Sequence, residues 1–262
     1  MSVRAEEIIC KMESIAPEGL CCSWDNVGVM TGDRKKEVKR VLIALDCTED
    51  VIDEALEKNA DMIITHHPFI FKAVKNLDYS KPLSRRIAKV IKNDIVVYSA
   101  HTNLDIADYG TNYTLAELLE LEEIEGLIPM GEGYMGRCGK LKKPVTFGEF
   151  IEFVKEGLGA KSLVVNGSKD TIIEKVGLCT GAGADYEYML KAKEKGCQAY
   201  VTGDIGYHDG QSAEDIGICL IDGTHYLTEV IVVNTLYDIL SAEFKSVEFV
   251  KSSVNGQTLN IV

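Results

Sequence analysis

The chain has 262 residues, room for one large core or two smaller ones, and its 46% hydrophobic and 26% charged content is that of an ordinary globular protein. No apolar run approaches the ~20 residues that a membrane-spanning helix needs. The formal charge of −13 argues against non-specific binding to nucleic acid or anionic lipid. A small anionic substrate stays open, because bound metal reverses the field locally.

The N-terminus, Met1 to Glu7, carries acids and lacks the apolar core of a signal peptide, so the expected location is the cytoplasm. Eight cysteines, none in a C-x-x-C pair and most in apolar runs, read as buried thiols of a reducing compartment. Vicinal Cys21-Cys22 is the one pair with a prospect of binding metal, and small core residues is the plainer reading.

Residues 3–15 form an amphipathic opening helix, with Ile8, Ile9, Met12 and Ile15 on one side. A polar loop, Ser23 to Gly28, holds the only tryptophan, Trp24. Arg40 to Asp46 is a buried strand, and Thr48 caps a helix from Glu49 to Leu56 whose first-turn acids suit the helix dipole. Asp61 to Thr65 is a second strand, running into His66-His67-Pro68. A basic helix, Leu83 to Lys92, precedes the strand Ile95 to Ser99, which ends at Ala100-His101. Thr111 to Leu121 is a further helix.

The middle is antiparallel in character from Gly136 to Leu141, and Thr146-Phe147-Gly148-Glu149 is a capping box opening a helix to Gly157. Ser162 to Val165 is a short strand. Then the early order returns: strand Lys175 to Cys179, a glycine turn at Gly181-Ala182-Gly183, helix Tyr186 to Lys195, strand Gln198 to Asp204. Ile218 to Asp222 is a strand running into Gly223-Thr224-His225 and a long helix from Tyr226 to Leu240. Strands at Ser246 to Val250 and Thr258 to Val262 close the chain.

Val41 to Thr65 and Val176 to Thr202 each span strand, helix, strand, which reads as an internal duplication of a β-α-β unit. The halves are expected at 1–125 and 126–262. No linker separates them, so they are expected to pack together or share a sheet.

All five histidines (66, 67, 101, 208 and 225) follow predicted strands, on the edge where open α/β sheets place their sites. Carboxylates accompany them: Asp105 follows His101 by four residues, Asp204 and Asp209 flank His208, and Glu229 follows His225 by one helical turn. Neighbouring side chains on a regular strand point to opposite faces. If His66 and His67 serve one site the backbone turns there; splayed, they serve two ions. His101 either orients Asp105 or acts at the site, and His208 is either an exposed loop residue or a proton carrier. Gly181-Ala182-Gly183 is a tight strand-to-helix turn or a phosphate seat, with Asp185 at the helix start arguing against an anion. Trp24 stacks on a base or packs.

The segments Thr65-His66-His67-Pro68, Ser99 to Asp105, Thr202-Gly203-Asp204 to His208, and Thr224-His225 to Glu229 together resemble the NIF-three-like family of GTP cyclohydrolase 1 type 2 homologs, or dinuclear metal centre proteins. The spacing from Asp105 to His225 leaves no room for the inserted domain of longer members, so the chain is similar to the short form. The resemblance implies an α/β fold of two duplicated halves, with mixed sheets flanked by helices and a metal site between the halves.

It further implies two divalent ions per subunit: His67 and Asp105 on one, His66 and His225 on the other, and Glu229 bridging. Zinc, iron, manganese, nickel or cobalt would suit these nitrogen and oxygen donors. His101 and His208 would then be the proton-carrying, catalytic candidates. A toroidal homohexamer is also implied. The activity implied is hydrolysis of a nucleotide-type small molecule, GTP ring opening by a metal-activated water. The alternatives are a non-catalytic metal-binding regulator or scaffold, and a two-metal phosphoesterase or peptidase.

Overall fold

The computed structural model describes residues 2–259. In chain order the first elements are β1 (Val3–Arg4), α1 (Ala5–Ile15), β2 (Gly28–Thr31), β3 (Glu37–Val38), β4 (Arg40–Ala44), α2 (Glu49–Glu57), β5 (Met62–Thr65), α3 (Pro82–Lys92) and β6 (Val96–Ser99). Next come α4 (Thr102–Ile106), α5 (Thr111–Leu118), β7 (Glu122–Met130), β8 (Gly133–Thr146), α6 (Phe147–Gly157), β9 (Val164–Asn166) and β10 (Ile172–Leu178). The last are α7 (Tyr186–Glu194), β11 (Ala199–Thr202), α8 (Tyr207–Ile216), β12 (Cys219–Asp222), α9 (His225–Val230), α10 (Val232–Glu243) and β13 (Glu248–Lys251). No helix among the described residues is long and apolar enough to cross a membrane.

The duplication is visible in the strand order. Beside a two-stranded β1-β3 ribbon, one large sheet runs β13-β4-β5-β6-β2 and another β7-β8-β10-β11-β12-β9, so the repeats occupy separate sheets and do not share one. In each, three consecutive strands are parallel (β4, β5, β6; β10, β11, β12). Each triplet is flanked by an antiparallel edge strand that precedes it in the chain, β2 on β6 and β9 on β12. Strands β5, β6 and β11 are buried at every position, as parallel strands covered on both faces must be.

Their cores are distinct. Leu42, Ile63 and Val97 of the first sheet pack with Val51, Ile52 and Ala55 of α2 and with Ile87 and Val90 of α3. Val176, Val201 and Ile221 of the second pack with Phe147, Phe150 and Val154 of α6. Side-chain caps start the helices where the sequence places them: the Thr48 hydroxyl accepts from Val51 N at 3.3 Å, and Thr146 and Glu149 form a reciprocal capping box.

The chain divides into two compact units, one of residues Met1–Leu104 with Val232–Gly256, the other of Asp105–Ile231 with Gln257–Val262. The boundary therefore differs from the expected 1–125 and 126–262. The reason is β13, which pairs in parallel with β4 and carries α10 back to the first sheet. The helix expected from Tyr226 to Leu240 is interrupted at Ile231, where the chain passes from one unit to the other. The strand expected at Thr258 to Val262 falls partly outside the described residues, and Thr258 and Leu259 are not in a strand.

Glu54 fastens the returning segment to α2. Its nearly buried carboxylate accepts hydrogen bonds from Ser252 Oγ (2.5 Å), Ser253 N (2.9 Å) and Ser253 Oγ (2.7 Å). Burial works to raise this carboxyl, but the three donors outweigh it and hold the pKa below the ordinary value of 4.5. A native pKa below the unfolded one adds stability that is present above the unfolded value and fades as pH falls through the native one. Glu54→Gln is thus expected to cost about 1–2 kcal/mol at pH 7, with the gap to wild type narrowing as pH falls below about 4. Urea unfolding at several pH values measures both; a gap constant with pH would show that the carboxylate charge has no part in the fastening.

Candidate functional site

Strand β5 delivers the first donors. Beyond Thr65 the backbone is turned by a relay of hydroxyls: Phe69 N donates to Ser99 Oγ (3.3 Å), which bonds Thr65 Oγ1 (2.9 Å), and Thr65 Oγ1 donates to the His67 carbonyl (2.9 Å). The neighbouring imidazoles therefore do not splay to opposite faces. The ring centroids of His66 and His67 are 5.1 Å apart, and His101, just beyond β6, lies 5.2 Å from one and 5.7 Å from the other. Donor atoms of the three histidines lie within 4.8 Å of one another.

Each ring is held at Nδ1 by an oxygen. His66, fully buried, meets the Ala100 carbonyl at 2.9 Å, and a carbonyl only accepts, so Nδ1 carries the proton. His67 Nδ1 meets Asp46 Oδ1 at 2.7 Å, and His101 Nδ1 meets Asp25 Oδ1 at 2.9 Å. In the neutral rings the lone pair therefore resides on Nε2 in all three. Asp25 is fully enclosed, and it also accepts from Asn26 N, Thr102 N and Thr102 Oγ1. Burial works to raise its carboxyl, yet the bonds from His101 and Thr102 hold it well below the usual carboxylate range. It stays ionised at any working pH. Trp24, 62% exposed, packs edge-on against His101 and against Phe71.

The second unit assembles a carboxylate-rich set. Thr224 caps α9 through its hydroxyl, which accepts from Leu227 N at 3.2 Å, and this places His225 and Glu229 one turn apart. His225 Nε2 is 3.0 Å from Glu229 Oε2, and its Nδ1 is 2.7 Å from Asp204 Oδ2. Asp204 thus serves His225, not the His208 it flanks in sequence. Gly181, at φ +64°, presses against the buried Glu229: a Cβ there would fall 2.0 Å from Oε1. A Cβ on Gly183 would fall 2.5 Å from that of Cys179. The glycine turn is therefore a close-packed support for Glu229, and Asp185 caps the helix after it by accepting from Glu187 N.

Asp105, buried on α4, accepts from the Thr111 hydroxyl, to which Thr180 Oγ1 donates at 3.1 Å. His208 lies in the first turn of α8, is exposed, and bonds Gln211 Oε1 at 2.9 Å, outside both donor sets.

These sets fit a divalent metal by their donor chemistry. Ligating histidines characteristically donate the far ring nitrogen to a carboxylate or carbonyl, which fixes the tautomer and raises the basicity of the other. His66, His67 and His225 do so. Thiolates are absent from the sets, and burial pushes the Cys47 thiol, beside His67 in the same unit, up to about 12, keeping it protonated. Cys21 and Cys22 are half-buried and join no group of three donors among the described residues. Asp25, Asp46, Asp204 and Gly181 were not assigned these roles from sequence. Asp46 and Asp204 carry a usable signal, since each follows the end of a sheet strand closely, whereas Asp25 is tied to His101 only by the tertiary fold.

Fold and donor chemistry together define an α/β protein of two duplicated units bearing imidazole and carboxylate groups able to hold metal. The chain belongs to the Duf34/NIF3 (NGG1p interacting factor 3) family, whose profile matches residues 3–257. It is 38% identical over 256 residues to a curated relative from Clostridium perfringens named GTP cyclohydrolase 1 type 2 homolog, covering 95% of this chain and 96% of that one. Among solved structures it is similar to a Bacillus cereus protein related to NIF3, with a TM-score of 0.93 and 27% identity over the whole of both chains. It is similar also to HcgD from Methanocaldococcus jannaschii, with a TM-score of 0.84 and 32% identity over 97% of this chain and 99% of that one.

Proposed function

We propose that the protein is a divalent-metal-dependent hydrolase of a nucleotide-type small molecule, with GTP the first substrate to try. The observation that carries this is the shared arrangement of His66, His67 and His225, each held at Nδ1 by an oxygen, which leaves Nε2 as the ligating atom. The residues that would hold metal are His66, His67, Asp105, His225 and Glu229. Bound divalent metal supplies Lewis acidity and brings the pKa of water towards neutrality. The nucleotide reading is supported by the name of the Clostridium perfringens relative.

The chain's own part is orientation and proton movement. Asp46 and Asp204 fix the rings of His67 and His225. His101, held through Nδ1–H by ionised Asp25, accepts a proton at Nε2, and Asp25 stabilises the imidazolium so formed. Trp24 and Phe71 both pack edge-on against that ring.

Elemental analysis of the purified protein, beside Glu229→Ala, tests the metal content, and GTP turnover with each metal restored tests the chemistry. About two ions per chain are expected, as in two-metal hydrolases, with a sharp fall in the variant and GTP consumption lost with it. Metal without turnover of GTP or related nucleotides would remove the hydrolase reading, and no metal after reconstitution would remove the site.

A further inference from the structure

Beside His67 in the first unit lies a cavity of about 340 Å³, bounded by Asp46, Phe71, Leu83, Lys72 and Arg86 among others. We propose that this cavity is the phosphate-binding part of the substrate site: it takes the phosphate of a mononucleotide-sized ligand, with Arg86 and Lys72 as its cationic contacts. The choice of a nucleotide rests on the hydrolase reading above; the preference for an anion rests on the cavity alone.

Arg86, half-buried on α3, donates one N–H to the Cys47 carbonyl at 3.1 Å, which braces the guanidinium at the cavity wall. A guanidinium has five donors in a planar fork, so the brace leaves a fork suited to two phosphate oxygens. Neither Arg86 nor Lys72 is within ion-pair distance of a carboxylate among the described residues, whereas Lys89, on the same helix as Arg86, pairs with both Glu49 and Asp53. The one carboxylate of the lining, Asp46, is held by His67 Nδ1 at 2.7 Å. In a chain of formal charge −13, a wall carrying two cations without carboxylate partners is where an anion meets least repulsion.

Size and lining agree with such a ligand. The volume is at the small end of the ~300–1,000 Å³ of ordinary ligand sites. Phe71, Leu83, Phe69 and Pro68 supply apolar wall for a sugar or ring, and Phe71 meets both Trp24 and His101 edge-on, so the apolar wall continues to the histidine cluster. A ligand anchored by its phosphate at Arg86 would then reach His67 and His101 with its other end.

Calorimetric titration of the full-length protein at low ionic strength, with guanosine monophosphate, inorganic phosphate and guanosine as probes, tests this. Guanosine monophosphate should bind saturably, inorganic phosphate should compete with it, guanosine should bind at least tenfold more weakly, and added salt should weaken the nucleotide. Arg86→Gln should weaken nucleotide binding by about tenfold and Lys72→Gln by a few-fold; Lys72 is exposed, so its variant is not expected to disturb folding. Arg85→Gln, which alters the adjacent exposed arginine, should leave binding unchanged.

The same titration in Glu229→Ala separates this proposal from the metal reading. Binding that persists there and depends on Arg86 upholds the cavity even if GTP is never turned over. Binding lost in Glu229→Ala but untouched by Arg86→Gln and Lys72→Gln places the phosphate on metal and overturns the proposal, as does guanosine binding equal to that of its monophosphate.

Discussion

Gly181→Ala is expected to strip the protein of metal while every ligand remains. At φ +64° an alanine strains the backbone by about 1 kcal/mol, which the fold can absorb. What it cannot absorb is the position of the new methyl group, 2.0 Å from Glu229 Oε1 and 3.4 Å from His225 Nε2. Retreat is blocked on both sides of the residue: Gly181 N donates to Thr228 Oγ1 at 3.0 Å, and Gly203 N donates to the Gly181 carbonyl at 2.8 Å. The carboxylate must swing away, and loss of metal affinity of roughly 10–100-fold is the scale for displaced groups around a metal. Gly131→Ala is the matched control, because Gly131 has φ +60° with nothing within 4 Å of the added carbon. Elemental analysis and thermal unfolding of the two variants should show the control lowered only by the roughly 2–4 °C that about 1 kcal/mol of backbone strain costs, and depleted metal only in Gly181→Ala. Full metal in Gly181→Ala would exclude Glu229 as a ligand.

Asp25→Asn should have the largest effect on stability. Four donors converge on this carboxylate: His101 Nδ1 and Asn26 N on Oδ1, Thr102 N and Thr102 Oγ1 on Oδ2. An asparagine has one oxygen for four donors, and in either orientation its NH₂ opposes a backbone N–H. With the oxygen towards Thr102, the amide also faces His101 Nδ1 and drives the ring to the Nε2–H tautomer. The expected cost is about 3 kcal/mol, from lost charge-assisted bonds and a donor left opposed in a buried place. Because the native carboxyl titrates below its unfolded value of 3.8, its contribution is complete above that pH and is lost as pH falls through the native value. Titration of the Asp25 carboxyl itself should therefore add no pH dependence to the cost of Asp25→Asn above about pH 5. Guanidinium unfolding reads the cost, and nitrogen-15 spectra of the imidazoles read the tautomer of His101; a wild-type spectrum with protonated Nε2 would contradict this account.

Much of the sheet architecture was legible because its signals are local. Runs such as Val41-Leu42-Ile43-Ala44 and Gln198-Ala199-Tyr200-Val201 read as buried strands, and the caps at Thr48 and Thr146 mark their helices by chemistry confined to a few residues. The strand-end position of His66, His67, His101 and His225 was legible for the same reason.

What was missed depends on partners distant in sequence. Strand β7 escaped notice because Glu122, Glu123 and Glu125 make it look like a solvated loop; its pairing with β8 and the ion pairs of Glu125 with Lys175 and Lys195 become visible only in the fold. The polar stretch before Gly28 concealed the role of Asp25, whose partner His101 lies 76 residues away. The return of α10 and β13 to the first sheet has no local signature at all, since β13 is an ordinary short strand until it finds β4.

That return bears on the order of events during synthesis. Strand β4 leaves the ribosome about 200 residues before its neighbour β13, and at 5–20 residues per second it waits roughly 10–40 seconds with that side unpaired. The second unit, continuous from Asp105 to Ile231 apart from its short C-terminal addition, has nearly all its residues outside the exit tunnel before the first can be completed. The first unit thus waits for its returning strand until nearly all of the second has been made, and through this interval the open β4 edge is where a nascent-chain chaperone has most to protect.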